Sequence, residues 1–385
     1  MKKRMKAFSL LLLSLVFVLG LSSCKNAGTE LADLMIIQGI GVDYEKGNFN
    51  VTVEILNNEQ SGSPNGNASS DNKTKIYSTK GKTVAEALRM LTSKSGNLPL
   101  FAHNRVIVIN EDLNEKTISD VLEFFVRNYD SRASQLLCIA KGTKAESVIR
   151  ARLLQDTVKS EILENLLEES YKQSLIPRVR VIDALNNLSN KNTILCIPAV
   201  EVKKNGENED YQLSGCALYD ENGRVCAYLN EDASKGIPFL TNKVQQGFLT
   251  QTLPGGEPIT VFINKSKTKY NISTKNGILQ YHLQIDISCD LDEVGSTLRH
   301  QNDKATLDSI KKAVKISVVQ SIEETLSALQ TQNTGDCVGY CKVLELKNPK
   351  AYKQYKEDWK NNFSQTQTSV SVNVTVRRIG EETLK

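Results

Sequence analysis

Leu307, Ile310, Val314, Val318, Ile322, Leu326 and Leu329 recur at steps of three or four between positions 303 and 330. That spacing writes one apolar stripe along a helix of about eight turns. A stripe this long needs a broad partner, and a sheet is the broadest element a chain can offer. Strand candidates lie close by at 259–263, 267–273 and 280–289, and Val370, Val372, Val374 and Val376 alternate strictly in a closing strand. A second helix is expected over 348–361. The pattern predicts an α+β domain over 256–385, with the long helix at 303–330 and its companion packed on one face of an antiparallel sheet.

The preceding residues read differently. An apolar strand with two glycines covers 36–43. A turn at Gly47-Asn48 leads to a strand in which Phe49, Val51, Val53 and Ile55 alternate. Residues 57–74 are rich in Asn, Ser and Gly and read as a loop. A short strand at 76–79 precedes a helix over 83–91, where Thr83 can cap and Glu86 follows three later. Strands at 105–109 and 135–140 flank a helix at 118–126, and 144–174 carries apolar residues at helical spacing. Strands alternating with helices predict an α/β-type domain over 30–180. Beyond it, Val181, Ile182, Leu185 and Leu188 suggest a helix behind Pro177. A strand at 194–202 and a hairpin around Asn222-Gly223 follow, giving a small central β-rich domain over 181–255. The body is therefore expected to hold three domains with mixed and antiparallel sheets.

The first 23 residues are not part of that body. Lys2, Lys3, Arg4 and Lys6 precede an apolar run of about 15 residues, short of the roughly 20 a bilayer span needs. A basic start and a short apolar run are the pattern of an export signal. The run closes on Leu21-Ser22-Ser23-Cys24, which resembles the bacterial lipobox. In that system Cys24 receives diacylglycerol, cleavage makes it the first residue, and its amine is then acylated. An ordinary signal peptide or an uncleaved anchor is the alternative. The lipoprotein reading makes 1–23 a signal peptide and 24–29 a lipidated tether. It leaves an ectodomain held on the bilayer by Cys24, with covalent lipid as the only added group.

Charge supports that division. The chain has 48 Lys+Arg against 44 Asp+Glu, and the four extra bases are those of the signal. The remainder is formally neutral, which argues against a nucleic-acid partner, since phosphate binding concentrates positive charge.

Seven further cysteines remain: Cys138, Cys196, Cys216, Cys226, Cys289, Cys337 and Cys341. Export permits disulfides, but seven is odd. Cys216 and Cys226 flank the Asn222-Gly223 turn and are a candidate pair across the hairpin; small buried residues are the other reading. Cys337-x3-Cys341 has no neighbouring His or second Cys pair, so no metal site is expected.

The residues offer no catalytic set. Gly39-Ile40-Gly41 lacks the third glycine of a dinucleotide loop, no phosphate loop or nucleophile elbow occurs, and His103, His282 and His300 are scattered. His103-Asn104-Arg105 reads as structural and Asp290/Asp292/Glu293 as a solvated turn. Lys265, Lys267 and Lys269 share one strand face and read as a solvated edge, with contact to anionic lipid the alternative.

Separated motifs resemble one family in the same order. After the lipobox come Glu30-Leu31-x-Asp33-Leu34 and Ile37-x-Gly39-Ile40-Gly41-Val42-Asp43. Leu98-Pro99 and His103-Asn104-Arg105-Val106 follow, then Arg127-Asn128-Tyr129-Asp130 and Ser214-Gly215-Cys216-Ala217-Leu218-Tyr219. Asp336-Cys337-Val338-Gly339-Tyr340, Asp358-Trp359 and Arg377-Arg378-Ile379-Gly380 close the set. Together they resemble the Ger(x)C lipoproteins, the C subunits of spore germinant receptors. That family usually has an aromatic and a glycine where this chain has Cys337 and Cys341.

The resemblance implies a non-enzymatic three-domain lipoprotein on the outer face of the inner spore membrane. Its partners would be the A-type and B-type membrane subunits of a nutrient germinant receptor, and its role spore germination. The alternative is a substrate-binding lipoprotein of a transport system.

Overall fold

A computed structural model describes residues 34–57, 73–128, 130–154, 157–295, 304–379 and 382–383. The signal, the tether and most of the expected 57–74 loop lie outside the described residues.

The centre of the first sheet is built from strands that are apolar on both faces. In β5 (Val106–Asn110), Val106 and Val108 enter one core while Ile107 and Ile109 enter another. β6 (Leu136–Ala140) divides its residues in the same way. Continuous apolar runs of this kind belong to strands covered on both sides. β1 (Leu34–Glu45), β5, β6 and β7 (Cys196–Asn205) run parallel. β2 (Asn48–Leu56) and β3 (Thr74–Gly81) extend the sheet antiparallel at one edge. β8 (Asn208–Tyr219) and β9 (Val225–Leu229) extend it at the other, and β4 (Leu98–Leu100) pairs with β1.

This sheet corrects the expected division. Residues 181–255 do not make a central β-domain of their own, because β7, β8 and β9 are hydrogen-bonded into the first sheet. Local alternation identifies a strand but not the neighbour it will choose.

One face is covered by α1 (Val84–Ser95), α2 (Ile118–Arg127) and α5 (Val181–Leu188). α1 starts as expected: the Thr83 hydroxyl accepts the Glu86 N–H at 3.1 Å, and the Glu86 carboxylate reaches back to the Lys82 N–H at 2.6 Å. The other face carries α3 (Ala145–Ile149) and α4 (Lys159–Lys172). The helical spacing over 144–174 is thus two helices rather than one.

The second sheet has the order β10 (Gly247–Thr252), β11 (Pro258–Lys275), β12 (Ile278–Val294), β13 (Gln367–Ile379) and β14 (Glu382–Thr383). The two expected strands at 259–263 and 267–273 are one 18-residue strand with bulges. β13 runs parallel to β12, so the sheet is mixed rather than antiparallel. A parallel neighbour needs a long crossover, and the helices between β12 and β13 supply it.

The first of these is α8 (Lys304–Thr331), which buries Ile310, Val314, Val318, Ile322, Leu326 and Leu329 as its period requires. The second expected helix is broken into α10 (Pro349–Tyr355), a 3-10 turn at Lys356–Asp358 and α11 (Trp359–Ser364). α9 (Tyr340–Lys347) precedes them. No helix among the described residues is long and apolar enough to cross a membrane.

Two short helices, α6 (Glu231–Ser234) and α7 (Gly236–Leu240), link the sheets. They contribute Ala233, Ile237, Phe239 and Leu240 to a core that also contains Val106 of the first sheet, Ile285 of the second and Val318 of α8. The two sheets therefore share one hydrophobic core.

Candidate functional site

Three buried carboxylates organise the molecule; two of them, on strands, cap helices distant in sequence, and the third caps the helix that follows it. Asp43 of β1 accepts the Ala145 and Glu146 N–H groups, both at 2.9 Å, and the Asn110 amide at 2.7 Å. Glu54 of β2 accepts the Lys159 N–H at 2.9 Å, the Ser160 N–H at 2.7 Å and the Ser160 hydroxyl at 2.6 Å. Helix N-termini present unpaired N–H groups and a partial positive charge, so a carboxylate there is held on both counts. Burial nevertheless pushes the Asp43 carboxyl up, against the pull of its donors.

The glycines of Ile37-x-Gly39-Ile40-Gly41-Val42-Asp43 serve the same helices. A Cβ on Gly39 would overlap the Ser160 side chain, and one on Gly41 would stand 2.9 Å from the Ala145 carbonyl oxygen. The motif is a seat for α3 and α4, not a nucleotide loop. Arg105 continues it: its guanidinium donates to Gln38 at 3.1 Å and to Glu164 of α4 at 2.6 Å.

The third carboxylate marks the seam between the two sheets. Asp336 is fully buried and accepts N–H groups from Val338 (3.0 Å), Gly339 (2.7 Å) and Cys341 (2.8 Å), plus the Trp359 indole N–H (3.2 Å). Its own carbonyl accepts the Ile194 N–H at 3.0 Å, just ahead of β7. Tyr340 stacks on Tyr281 with ring centres 4.1 Å apart, and Phe363 meets Tyr340 edge-on. Asp336, Tyr340 and Trp359, separated in sequence, are thus one structural unit. A cavity of about 500 Å³ opens beside it, lined by Ile194, Cys196, Leu240, Cys337, Gly339 and Val343 among others.

The linker seals the rest of the seam. The Thr325 hydroxyl of α8 donates to the Ala233 carbonyl at 2.6 Å, and the Thr268 hydroxyl of β11 donates to the Phe239 carbonyl at 2.8 Å. Gly236 lies so close to Ser321 and Thr325 that any Cβ would collide with them.

Candidate chemistry is sparse. His282 has hydroxyls on both ring nitrogens, Ser369 at 2.7 Å and Ser273 at 3.1 Å, on an exposed sheet face. No carboxylate is hydrogen-bonded to that ring among the described residues. Burial pushes the Cys341 thiol up to about 12 and the Cys289 thiol up to about 11, so both stay protonated. No group of three His, Cys, Asp or Glu among the described residues is placed to hold a metal. Asp290 lies in strand β12 and faces Arg377 at 3.3 Å. Lys265, Lys267 and Lys269 are exposed on the part of β11 beyond the end of β10.

The Cys216–Cys226 disulfide is not formed. Cys216 stands opposite Leu229, and the irregularity between Leu218 and Tyr219 shifts Cys226 out of register. Cys216 is buried while Cys226 is exposed, and both are free thiols. Cys226 is three residues from the partner of Cys216, so flanking the turn does not bring the two thiols opposite one another. Leu21, Ser22, Ser23 and Cys24 lie outside the described residues.

Two sheets that share one core, with buried acids holding helices onto the first and a third acid at the seam, define a non-repeating α+β scaffold. Residues 28–202 match the spore germination protein N-terminal domain, and residues 214–380 match the spore germination B3/GerAC-like C-terminal domain. The chain belongs to the Ger(x)C family of spore germination proteins. It is 26% identical over 391 residues to spore germination protein KC of Bacillus subtilis (strain 168), covering 96% of this chain and 95% of that one. It is 25% identical over 386 residues to spore germination protein GerQC of Bacillus cereus, covering 98% and 99%. The crystal structure of the GerBC protein shares the fold, with a TM-score of 0.55 at 20% identity over 88% of this chain and 96% of that one.

Sequence reasoning quoted Asp43 in a motif without its role, and missed Glu54 and the linker helices. The signal for Asp43 was an acid in an otherwise apolar run, which burial permits only where the charge is satisfied, whereas Glu54 stands at a polar position of an alternating strand and gave none.

Proposed function

We propose that this chain is the lipid-anchored C-type subunit of a nutrient germinant receptor, working through contacts with A-type and B-type membrane subunits rather than by catalysis. The observation that carries this reading is the ordered match of both spore germination domains behind the Leu21-Ser22-Ser23-Cys24 motif. Lipid on Cys24 would hold the body on the outer face of the inner spore membrane. Two or more acyl chains, at about 0.8 kcal/mol per buried CH2, anchor stably. A tether raises effective concentration, so docking contacts need only be weak. The fused halves fit a subunit that transmits contact as a unit.

The test is Cys24→Ala in the full chain. The variant is expected to keep its folded body but leave the membrane fraction, and its spores to lose the response to the germinant served by that receptor. Normal membrane association together with normal nutrient germination sinks the reading.

A further inference from the structure

Three thiols converge at the seam. Cys196 opens β7, Cys216 lies on β8, and Cys337 lies in the loop before α9. Cys196 and Cys337 line the same cavity, and the Ile194 N–H bonded to the Asp336 carbonyl sets their two segments side by side. These are sheet residues on one side and a second-domain loop on the other.

Backbone hydrogen bonds hold the Cys337 loop beside the start of β7. The Cys337 loop is pinned through Asp336 to Val338, Gly339 and Cys341, and the Ile194 N–H donates to the Asp336 carbonyl two residues before Cys196. Gly335, at φ +128°, packs against Ile194 where a Cβ would stand 2.8 Å from the Ile194 side chain.

Geometry also selects the pair. Cys196 stands opposite Leu218, and Cys216 opposite Pro198, so Cys196 and Cys216 are diagonal neighbours on an antiparallel ladder. Diagonal neighbours lie about 7–8 Å apart, beyond the Cα spacing of about 4.4–6.8 Å that a disulfide needs. Cys337 is on no ladder with Cys196 and is free of that constraint. Cys196 and Cys337 both line the 500 Å³ cavity, and Cys216 does not. Cys341 is buried in α9 and does not line the cavity, and Cys226 is exposed on β9.

We propose that Cys196 and Cys337 form a reversible disulfide that joins the first sheet to the second domain. The reagent is a low-molecular-weight disulfide entering through the cavity. Cys337, the less buried thiol, loses its proton and attacks one sulfur of the reagent. The reagent S–S bond breaks and releases one thiolate, which takes up a proton. Cys196 then loses its proton and attacks the Cys337 sulfur, and the second reagent thiolate leaves. Two protein thiols are oxidised and one reagent disulfide is reduced to two thiols. The adjoining Cys216 and Cys337 thiols, with burial, hold Cys196 protonated beforehand, so the first attack falls to Cys337. The bond closes a loop of 141 residues (337 − 196). It makes separation of the halves depend on the redox state outside the membrane.

The probe is oxidised glutathione added to the full chain in detergent-solubilised membranes, followed by alkylation and peptide mass mapping. The expected result is a Cys196–Cys337 linked peptide that reducing agent abolishes and that Cys216→Ala retains. Cys196→Ala is expected to stop at the first step, leaving a glutathione adduct on Cys337. Full alkylation of Cys196 and Cys337 in the treated wild-type chain overturns the proposal, and so does a dominant Cys196–Cys216 link. The wild-type map decides even where a variant does not fold.

Discussion

The Trp359 indole N–H donates to Asp336 Oδ2 at 3.2 Å, across 23 residues and three helical segments. This single bond explains why an acid and a tryptophan stand at these two places. Asp336 also closes the N-terminus of α9, so one carboxylate fixes the entry to α9 and the start of α11 together.

Asp336→Ala is expected to leave three backbone N–H groups and an indole N–H buried without an acceptor. Each orphaned donor costs about 1–3 kcal/mol, partly relieved by water entering. A loss of about 3 kcal/mol or more in urea unfolding is the expected outcome. Trp359→Phe removes one donor and some volume, and should cost less, about 1–2 kcal/mol. Equal stability of Asp336→Ala and wild type would show that the carboxylate does not hold this loop.

Gly39→Ala is expected to push α4 off the first sheet. The added Cβ meets the Ser160 side chain, which Glu54 grips through both its N–H and its hydroxyl. Overpacking of this kind costs about 1–3 kcal/mol. Gly39→Ala combined with Ser160→Gly, which removes the obstructing side chain, should recover part of that loss. No recovery in chemical denaturation would mean that the strain lies elsewhere.

What the residues revealed, and what they withheld, follows from how local each signal is. The stripe of α8 was legible because a 3.6-residue period needs no knowledge of the partner, and the helix runs from Lys304 to Thr331 against an expected 303–330. The Thr83 cap was legible for the same reason. The sheet that claims β7, β8 and β9 was not, because pairing is a long-range choice. β11 looked like two strands because Asn264, Lys265 and Ser266 interrupt its apolar alternation at the bulge between Ile263 and Lys265, past the end of β10. The 348–361 helix looked continuous, yet α10 starts anew at the Asn348 cap with Pro349 behind it and passes through a 3-10 turn. Within the site, Asp336, Tyr340 and Trp359 were visible as motifs. Their meeting at one carboxylate was not, since sequence order says nothing of it.

Stability should fall in acid through Glu201. Its carboxylate accepts the Ser214 hydroxyl at 2.6 Å and pairs with Lys203 and, at 3.5 Å, with Lys141. The Lys203 ammonium, then the Ser214 hydroxyl, hold its carboxyl down at about 2, against an ordinary value of 4.5. A depressed carboxyl binds fewer protons folded than unfolded. Its contribution is therefore present above pH 4.5 and is lost as pH falls from there toward about 2. Solvent near the group screens the effect, leaving about 1 kcal/mol at neutral pH. Glu201→Gln should flatten the fall in urea midpoint between pH 5 and pH 3. An unchanged slope would assign that fall to other carboxylates.

Gly236→Ala tests whether the two halves are one mechanical body. Gly236 begins α7, and a Cβ there would collide with the Thr325 hydroxyl and the Ser321 carbonyl of α8. Thr325 cannot simply turn away, because its one hydroxyl proton is shared between the Ala233 carbonyl at 2.6 Å and the Ser321 carbonyl at 2.8 Å. The linker must therefore move from the helix, opening the shared core where Ile237 and Leu240 are buried. The expected cost is about 2–3 kcal/mol, with amide exchange rising along α6, α7 and the facing turns of α8. The far edge of the first sheet, at β2 and β3, should exchange as before. Exchange that rises equally across both sheets would mean that the core unfolds as one unit and that the linker is not its weakest point.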